Sequence, residues 1–256
     1  TFEKLREYGI QNEIRVIPTG VKIPEPNKEK VAELKSKLAI ASDEKVFLSL
    51  SRLSKEKSID KVIDEYELIA KDYPNSRLLI VGDGPAREEL ENQAAKKTAR
   101  IDFIGEVSYD EVPHYYQLCD LYLNASESET QGLTYLEAFA NCLPIIAKRN
   151  PYLESLMPQA CFGQLFDEQV SLSQTAINFL KQMECGEIQT IDTKALSAIS
   201  VETFGQTAEA FYEYAIQHKC RSRFNIPDIV IPRIKNLIRD VVLGPDKENG
   251  QEFTNN

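Results

Sequence analysis

Leu78-Leu79-Ile80-Val81-Gly82-Asp83-Gly84-Pro85 is the stretch that decides the fold. Four apolar residues in a row, without polar alternation, read as a strand buried on both faces. Gly82-Asp83-Gly84 turns the chain out of it, and Pro85 stands where a helix starts. Leu90 continues that helix. The same pattern recurs on either side. Upstream, Val46 to Leu50 is a buried strand. Ile59, Val62, Ile63, Tyr66, Ile69 and Ala70 then follow helical spacing until Pro74-Asn75. Downstream, strands are expected over 101–105, 120–124 and 143–147, with a shorter one over 162–166. Helices over 109–118 and 133–140 lie between them. Further out, a short strand, Ile14-Arg15-Val16-Ile17, ends at Pro18-Thr19-Gly20, and a helix follows over 29–38. Helical patterns over 171–183, 193–199 and 202–217 come last. Unbroken apolar strands separated by helices predict an α/β fold: a Rossmann-like parallel sheet covered by helices on both faces.

Ligands of such sheets sit beyond the carboxyl ends of the strands. Loops 18–20, 51–57, 82–85, 105–108 and 125–132 are therefore expected to meet there, and the residues with chemistry to offer fall in them. Ser126-Glu127-Ser128-Glu129-Thr130-Gln131-Gly132-Leu133-Thr134-Tyr135-Leu136-Glu137 follows the strand around Leu121-Tyr122-Leu123. Gly132 opens the next helix. Glu129 is expected in the loop, and Glu137 on the second turn. Free amides near Gly132 and Leu133 can receive phosphate, and the two carboxylates can accept hydrogen bonds from hydroxyls. Phosphate beside a polyol suggests a sugar nucleotide. Glu129 and Glu137 also fit a glycosidase acid/base pair, whose separation sequence cannot give.

Arg52 and Lys57 follow the 46–50 strand directly. Two cations at a strand's carboxyl end can hold a diphosphate, the Arg through its fork and the Lys as a point charge; a solvated charged loop is the plainer alternative. Gly82-Asp83-Gly84 does not complete G-x-G-x-x-G, because position 87 is Arg, so the dinucleotide fingerprint fails. A tight turn explains both glycines, although Gly82 would also let a ligand approach the backbone. His114, beside Tyr115-Tyr116, has no Ser or Cys partner in a triad pattern and reads as an ordinary surface or core histidine.

The chain has 256 residues, 42% hydrophobic and 27% charged, as expected of a globular protein. No apolar run approaches the roughly 20 residues that span a bilayer, and no signal peptide is visible. The chain opens without Met, in mid-pattern, as part of a longer protein would. Five cysteines at 119, 142, 161, 185 and 220 show no CxxC, and His114 and His218 are the only histidines, so no metal site is expected. Reduced thiols of a cytoplasmic protein are the simplest reading. A net charge of −10 argues against nucleic-acid binding. The basic stretch 219–239 is the exception, with Lys219, Arg221, Arg223, Arg233, Lys235 and Arg239 against Asp228 alone. Pro232 starts a helix there with Ile234, Leu237, Ile238 and Val241 on one side. A membrane-surface helix and a terminal helix packed on protein both fit it. Residues 1–218 are thus expected to form one nucleotide-sugar binding domain. Residues 219–256 follow as a basic helix and a polar, disordered tail.

Val16-Ile17-Pro18-Thr19-Gly20-Val21, Ser51-Arg52-Leu53 with Lys57, Val81-Gly82-Asp83-Gly84-Pro85, Phe103-Ile104-Gly105 and the Glu129-x7-Glu137 segment come in order. Together they resemble the donor-binding, carboxyl-terminal half of a retaining GT-B glycosyltransferase of family 4. Ser128-Glu129-Thr130-Gln131-Gly132-Leu133-Thr134-Tyr135-Leu136-Glu137, with Asn150-Pro151-Tyr152-Leu153 downstream, is similar to diacylglycerol glucosyltransferases of Gram-positive bacteria. The resemblance implies transfer of glucose from UDP-glucose to a diacylglycerol-type membrane lipid, for glycolipids and lipoteichoic-acid anchors. Arg52, Lys57 and Glu129 would be catalytic. Gly20, Gly82, Gly105, Thr130, Gln131, Gly132, Leu133 and Glu137 would bind the donor, with Glu137 on the ribose. No metal or other cofactor is implied.

The resemblance further implies an amino-terminal acceptor half, absent here, so this chain alone is expected to transfer nothing. It also implies a cytoplasmic full-length protein, peripheral on the inner face of the plasma membrane. Two alternatives remain: a family-4 enzyme acting on polysaccharide or protein, and a non-catalytic nucleotide-sugar binding protein. Thr130-Gln131 replaces the family's usual Gly-Phe, and Cys142 its usual glycine.

Overall fold

The computed structural model describes residues 2–11, 13–127, 132–157, 160–189, 191 and 193–219, with the backbone alone at 2, 3, 193–195, 218 and 219. In chain order the elements are α1 (Phe2–Glu7), α2 (Lys28–Lys37), β1 (Lys45–Leu50), α3 (Ile59–Asp72), β2 (Ser76–Val81), α4 (Arg87–Ala94), β3 (Ile101–Gly105), α5 (Val112–Leu118), β4 (Leu121–Asn124), α6 (Leu133–Ala140), β5 (Ile145–Lys148), α7 (Pro151–Leu156), β6 (Gly163–Phe166), α8 (Leu172–Glu184) and α9 (Val201–Lys219). A 3₁₀ turn, Lys55–Lys57, precedes α3, and the 193–199 segment is 3₁₀ rather than α-helical. The chain forms two compact units. One is Ile23–Leu196; the other joins Thr1–Lys22 to the segment beginning at Ser197.

The larger unit is built on six parallel strands in the order β3-β2-β1-β4-β5-β6. Because side chains alternate along a strand, Phe47, Leu78, Ile80, Leu121 and Leu123 face a core with Ile59, Val62, Ile63 and Tyr66 of α3 and Phe179 and Leu180 of α8. α3, α4 and α8 cover that face; α2, α5 and α6 lie on the other, where Tyr122 packs against Tyr116 and Tyr135. Each fully buried aliphatic side chain contributes about 1.5–3 kcal/mol. The expected parallel sheet, covered on both faces, is what forms.

At the amino ends of the strands, buried Arg77 of β2 meets Glu44, Asp102 and the carbonyls of Leu38 and Ala39. The strand order reverses between β1 and β4. β1 to β3 run to one edge, and the chain then returns to lay β4 beside β1. Ligands of such sheets bind beyond the carboxyl ends of the two strands at that reversal.

Two expectations are corrected. Residues 14–17 form no strand, and α7 was not foreseen. In the smaller unit Val16 is 72% exposed, Arg15 lies over the rings of Phe211 and Tyr214 of α9, and Val21 bridges to Ser200. The segment is held by side chains and one bridge, without a ladder to make it a strand. α7 starts at Asn150, whose side chain accepts from the Leu153 amide, with Pro151 in the first turn. Residues 220–256, expected to hold the basic helix and tail, lie outside the described residues.

Candidate active site

The loop after β1 is the hub of the carboxyl end. Its Ser51 and Leu53 amides donate to the carbonyls of Val81 (3.1 Å) and Asp83 (2.9 Å), and Leu53 O accepts from the Ala86 amide at 3.0 Å. Leu53 is buried and fastens the loop to the core. On the other side, Ser126 Oγ after β4 donates to Glu56 O at 3.2 Å. Tyr122 Oη donates to Leu50 O at 3.0 Å, and Asn124 Nδ2 donates to Tyr122 Oη at 3.1 Å. The loops after β1, β2 and β4 therefore meet at the reversal of strand order. The loop after β3 joins them where the Gly82 amide donates to Gly105 O at 2.8 Å.

Arg52 stands in this hub, exposed, and its side chain makes no hydrogen bond or ion pair among the described residues. Lys57 ends the 3₁₀ turn and is half-buried. Beside it, the Ser54 hydroxyl, 2.7 Å from Glu56 Oε1, holds the Glu56 carboxyl below its ordinary range. Gly82 has φ +129°, and a side chain there would collide with the Ser51 carbonyl. Its lack of a Cβ thus lets two loops cross, as the tight-turn reading requires. Gly132 caps α6 with φ +57°, a left-handed conformation that glycine adopts freely. Leu133 follows, 40% exposed, at the positive end of the helix dipole.

Glu137 is half-buried on α6. Burial pushes its carboxyl above the ordinary range, and the Tyr116 hydroxyl, 3.2 Å from Oε2, pulls it partly back. Glu137 therefore has a partner within the protein, Tyr116 of α5. Sequence reading passed over this residue as a neighbour of His114. The sequence carries no sign of the pairing, which depends on α5 packing against α6. Lys148, at the end of β5, was also missed; its Nζ lies 2.7 Å from Glu127.

The other expected residues divide. Gly82, Gly105, Arg52 and Lys57 come together around the β1 loop. Gly132, Leu133 and Glu137 are carried by α6, which follows β4. Gly20 belongs to the smaller unit, where it abuts Ser200, Val201 and Phe204. Glu129, Thr130 and Gln131 lie outside the described residues. Among the described residues no group of three or more His, Cys, Asp and Glu gathers as metal ligands would. Among them, too, no helix is long and apolar enough to cross a membrane.

Residues 30–184 match the family described as Glycosyl transferases group 1. The chain belongs to this family. Among its relatives, alpha-monoglucosyldiacylglycerol synthase of Streptococcus pneumoniae is 38% identical over 219 residues, covering 83% of this chain and 49% of that protein. The protein of the same name from Acholeplasma laidlawii is 33% identical, covering 82% of this chain and 55% of that one. The family resemblance read from the motifs, including its likeness to diacylglycerol glucosyltransferases, is borne out. The group 1 chain spans about half the length of these relatives. Its fold is shared with HepE of Anabaena, solved in complex with UDP-glucose (22% identity, TM-score 0.65, 78% of this chain and 57% of that one).

Proposed function

We propose that this chain is the donor-binding part of a retaining glucosyltransferase that moves glucose from UDP-glucose to a diacylglycerol-type membrane lipid. The observation that carries the reading is the junction of the β1 and β4 loops at the reversal of strand order. It presents Arg52 and Lys57 in the loop after one strand, and α6 is the next helix after the other. Similarity to the two synthases over 219 residues supports the lipid acceptor. The solved complex of a protein with the same fold supports the nucleotide sugar.

The mechanism is electrostatic. UDP departs with the electron pair of the sugar's C1–O bond. Arg52, Lys57 and the amides at Gly132 and Leu133 stabilise the charge that develops on its phosphates. These groups supply the positive charge without a metal ion. Glu129, with Thr130 and Gln131, holds the transferred sugar, and Glu137 grips the ribose. Gly82 and Gly105 border the base. The acceptor lipid binds the amino-terminal half of the full-length protein, which works at the inner face of the plasma membrane.

The test is transfer of labelled glucose from UDP-glucose by the full-length protein to vesicles containing diacylglycerol. Formation of an α-linked glucosyl lipid is expected. Transfer only to a soluble saccharide or peptide acceptor, or no transfer, contradicts the reading.

A further inference from the structure

Tyr116 is 1% exposed, so its hydroxyl must find acceptors inside the protein. It has two, Glu137 Oε2 at 3.2 Å and the Thr134 carbonyl at 3.3 Å. Its ring stands edge-on to Tyr122 with centroids 5.9 Å apart, and Tyr122 is itself tied to Leu50. The hydroxyl is thus presented from a fixed ring. The Glu137 main chain is fixed from the same helix. Its carbonyl accepts from Asn141 Nδ2 at 2.9 Å, and Gln117 Nε2 donates to Asn141 Oδ1 at 2.9 Å. Gln117 Oε1 in turn accepts from the Asn27 amide at 3.0 Å. Two successive residues of α5 therefore hold the carboxylate and the backbone of one glutamate. Oε1 of Glu137 accepts no hydrogen bond among the described residues, and an ionised carboxylate has about four lone-pair sites.

We propose that Tyr116 is a positioning residue for the nucleotide: its hydroxyl orients the Glu137 carboxylate to receive the vicinal diol of a ribose. This rests on the reading above that Glu137 grips that ribose. The Tyr116 hydroxyl is also the one neighbour that favours the ionised form of Glu137 against burial. Glu111, His114 and Tyr115 at α5, Tyr122 of β4 and Lys148 of β5, the charged or titratable groups on the flanking elements, do not contribute.

The experiment titrates UDP and 2′-deoxyuridine 5′-diphosphate into the chain and into Tyr116→Phe, across a pH series. The variant loses one hydroxyl and keeps its ring in the stack. Loss of a hydrogen bond that orients a charged group predicts about tenfold weaker UDP binding. The deoxynucleotide, which lacks half of the diol, should lose much less, so the preference for UDP narrows. On acidification, UDP binding should begin to fail at higher pH in the variant, because the carboxyl has lost a donor to its charged form. Unchanged UDP affinity overturns the proposal, as does an equal loss for both nucleotides. If the unsubstituted chain binds neither nucleotide, the ribose reading itself fails and the proposal with it.

Discussion

Arg77 holds both carboxylate oxygens of Glu44, Nε to Oε1 at 2.7 Å and Nη2 to Oε2 at 2.8 Å. Its remaining donors reach Leu38 O, Ala39 O and Asp102 Oδ2, so the whole fork is used. Both partners are buried, with side chains 1% and 5% exposed. Removing one leaves a stranded charge. Arg77→Met should therefore cost about 3–5 kcal/mol in urea denaturation at neutral pH.

The pair also sets an acid dependence. Hydrogen bonding from Arg77 lowers the Glu44 carboxyl below its ordinary range. A depressed folded-state pKa contributes stability that is present above the unfolded value, about 4.3, and lost as pH falls through the folded one. In Arg77→Met the buried carboxyl is raised instead, so acid relieves its penalty. The stability gap between the two proteins should narrow as pH is lowered from 7 towards 4. A gap that widens contradicts the assignment.

Cys142 has φ +58° and follows Asn141, the residue that caps the end of α6. Its amide donates to Phe139 O at 2.8 Å and the Leu143 amide to Ala138 O at 2.8 Å, the paired bonds that end a helix with a left-handed residue. Glycine suits that position better. Cys142→Gly should raise stability by about 1 kcal/mol, while Cys142→Ala, with the same Cβ, should not. The midpoints of denaturant unfolding compare the two.

Gly82→Ala places a methyl against the Ser51 carbonyl and strains a positive φ. The loop carrying Arg52 must shift. A loss of about 2 kcal/mol or more is expected, together with weaker nucleotide binding. Calorimetric titration and unfolding on the same sample check both effects.

Under the proposed function the acceptor lipid binds an amino-terminal half, so the chain by itself should transfer no glucose to diacylglycerol. Thin-layer separation of labelled lipid products reads this out. Robust transfer by the isolated chain contradicts it.

The sheet was legible because its strands are covered on both faces and so carry no polar residues along runs such as Leu78–Val81. Ile14-Arg15-Val16-Ile17 misled for the opposite reason. Its apolar residues flank an arginine, and what holds it is the ring faces of α9, which leave no periodic trace. α7 carried its own signals in Asn150 and Pro151, but they were read as part of a motif. In the site, Arg52 could be found because it directly follows a strand. Tyr116 could not be tied to Glu137, since 21 residues and a strand separate them and only the packing of α5 on α6 brings them together. Arg77 escaped notice because its partner Glu44 precedes the neighbouring strand.

The central claim is that the junction of the β1 and β4 loops holds a sugar nucleotide. Calorimetric titration of UDP-glucose into this chain, beside Arg52→Ala, tests it most directly. The Arg52 side chain is exposed and bonded to nothing described, so its loss should leave the fold intact. One molar equivalent of UDP-glucose should bind the chain, and the variant should bind at least about tenfold more weakly, as expected for loss of a charge-assisted phosphate contact. Equal affinity in the two proteins, or no binding to either, would contradict the account.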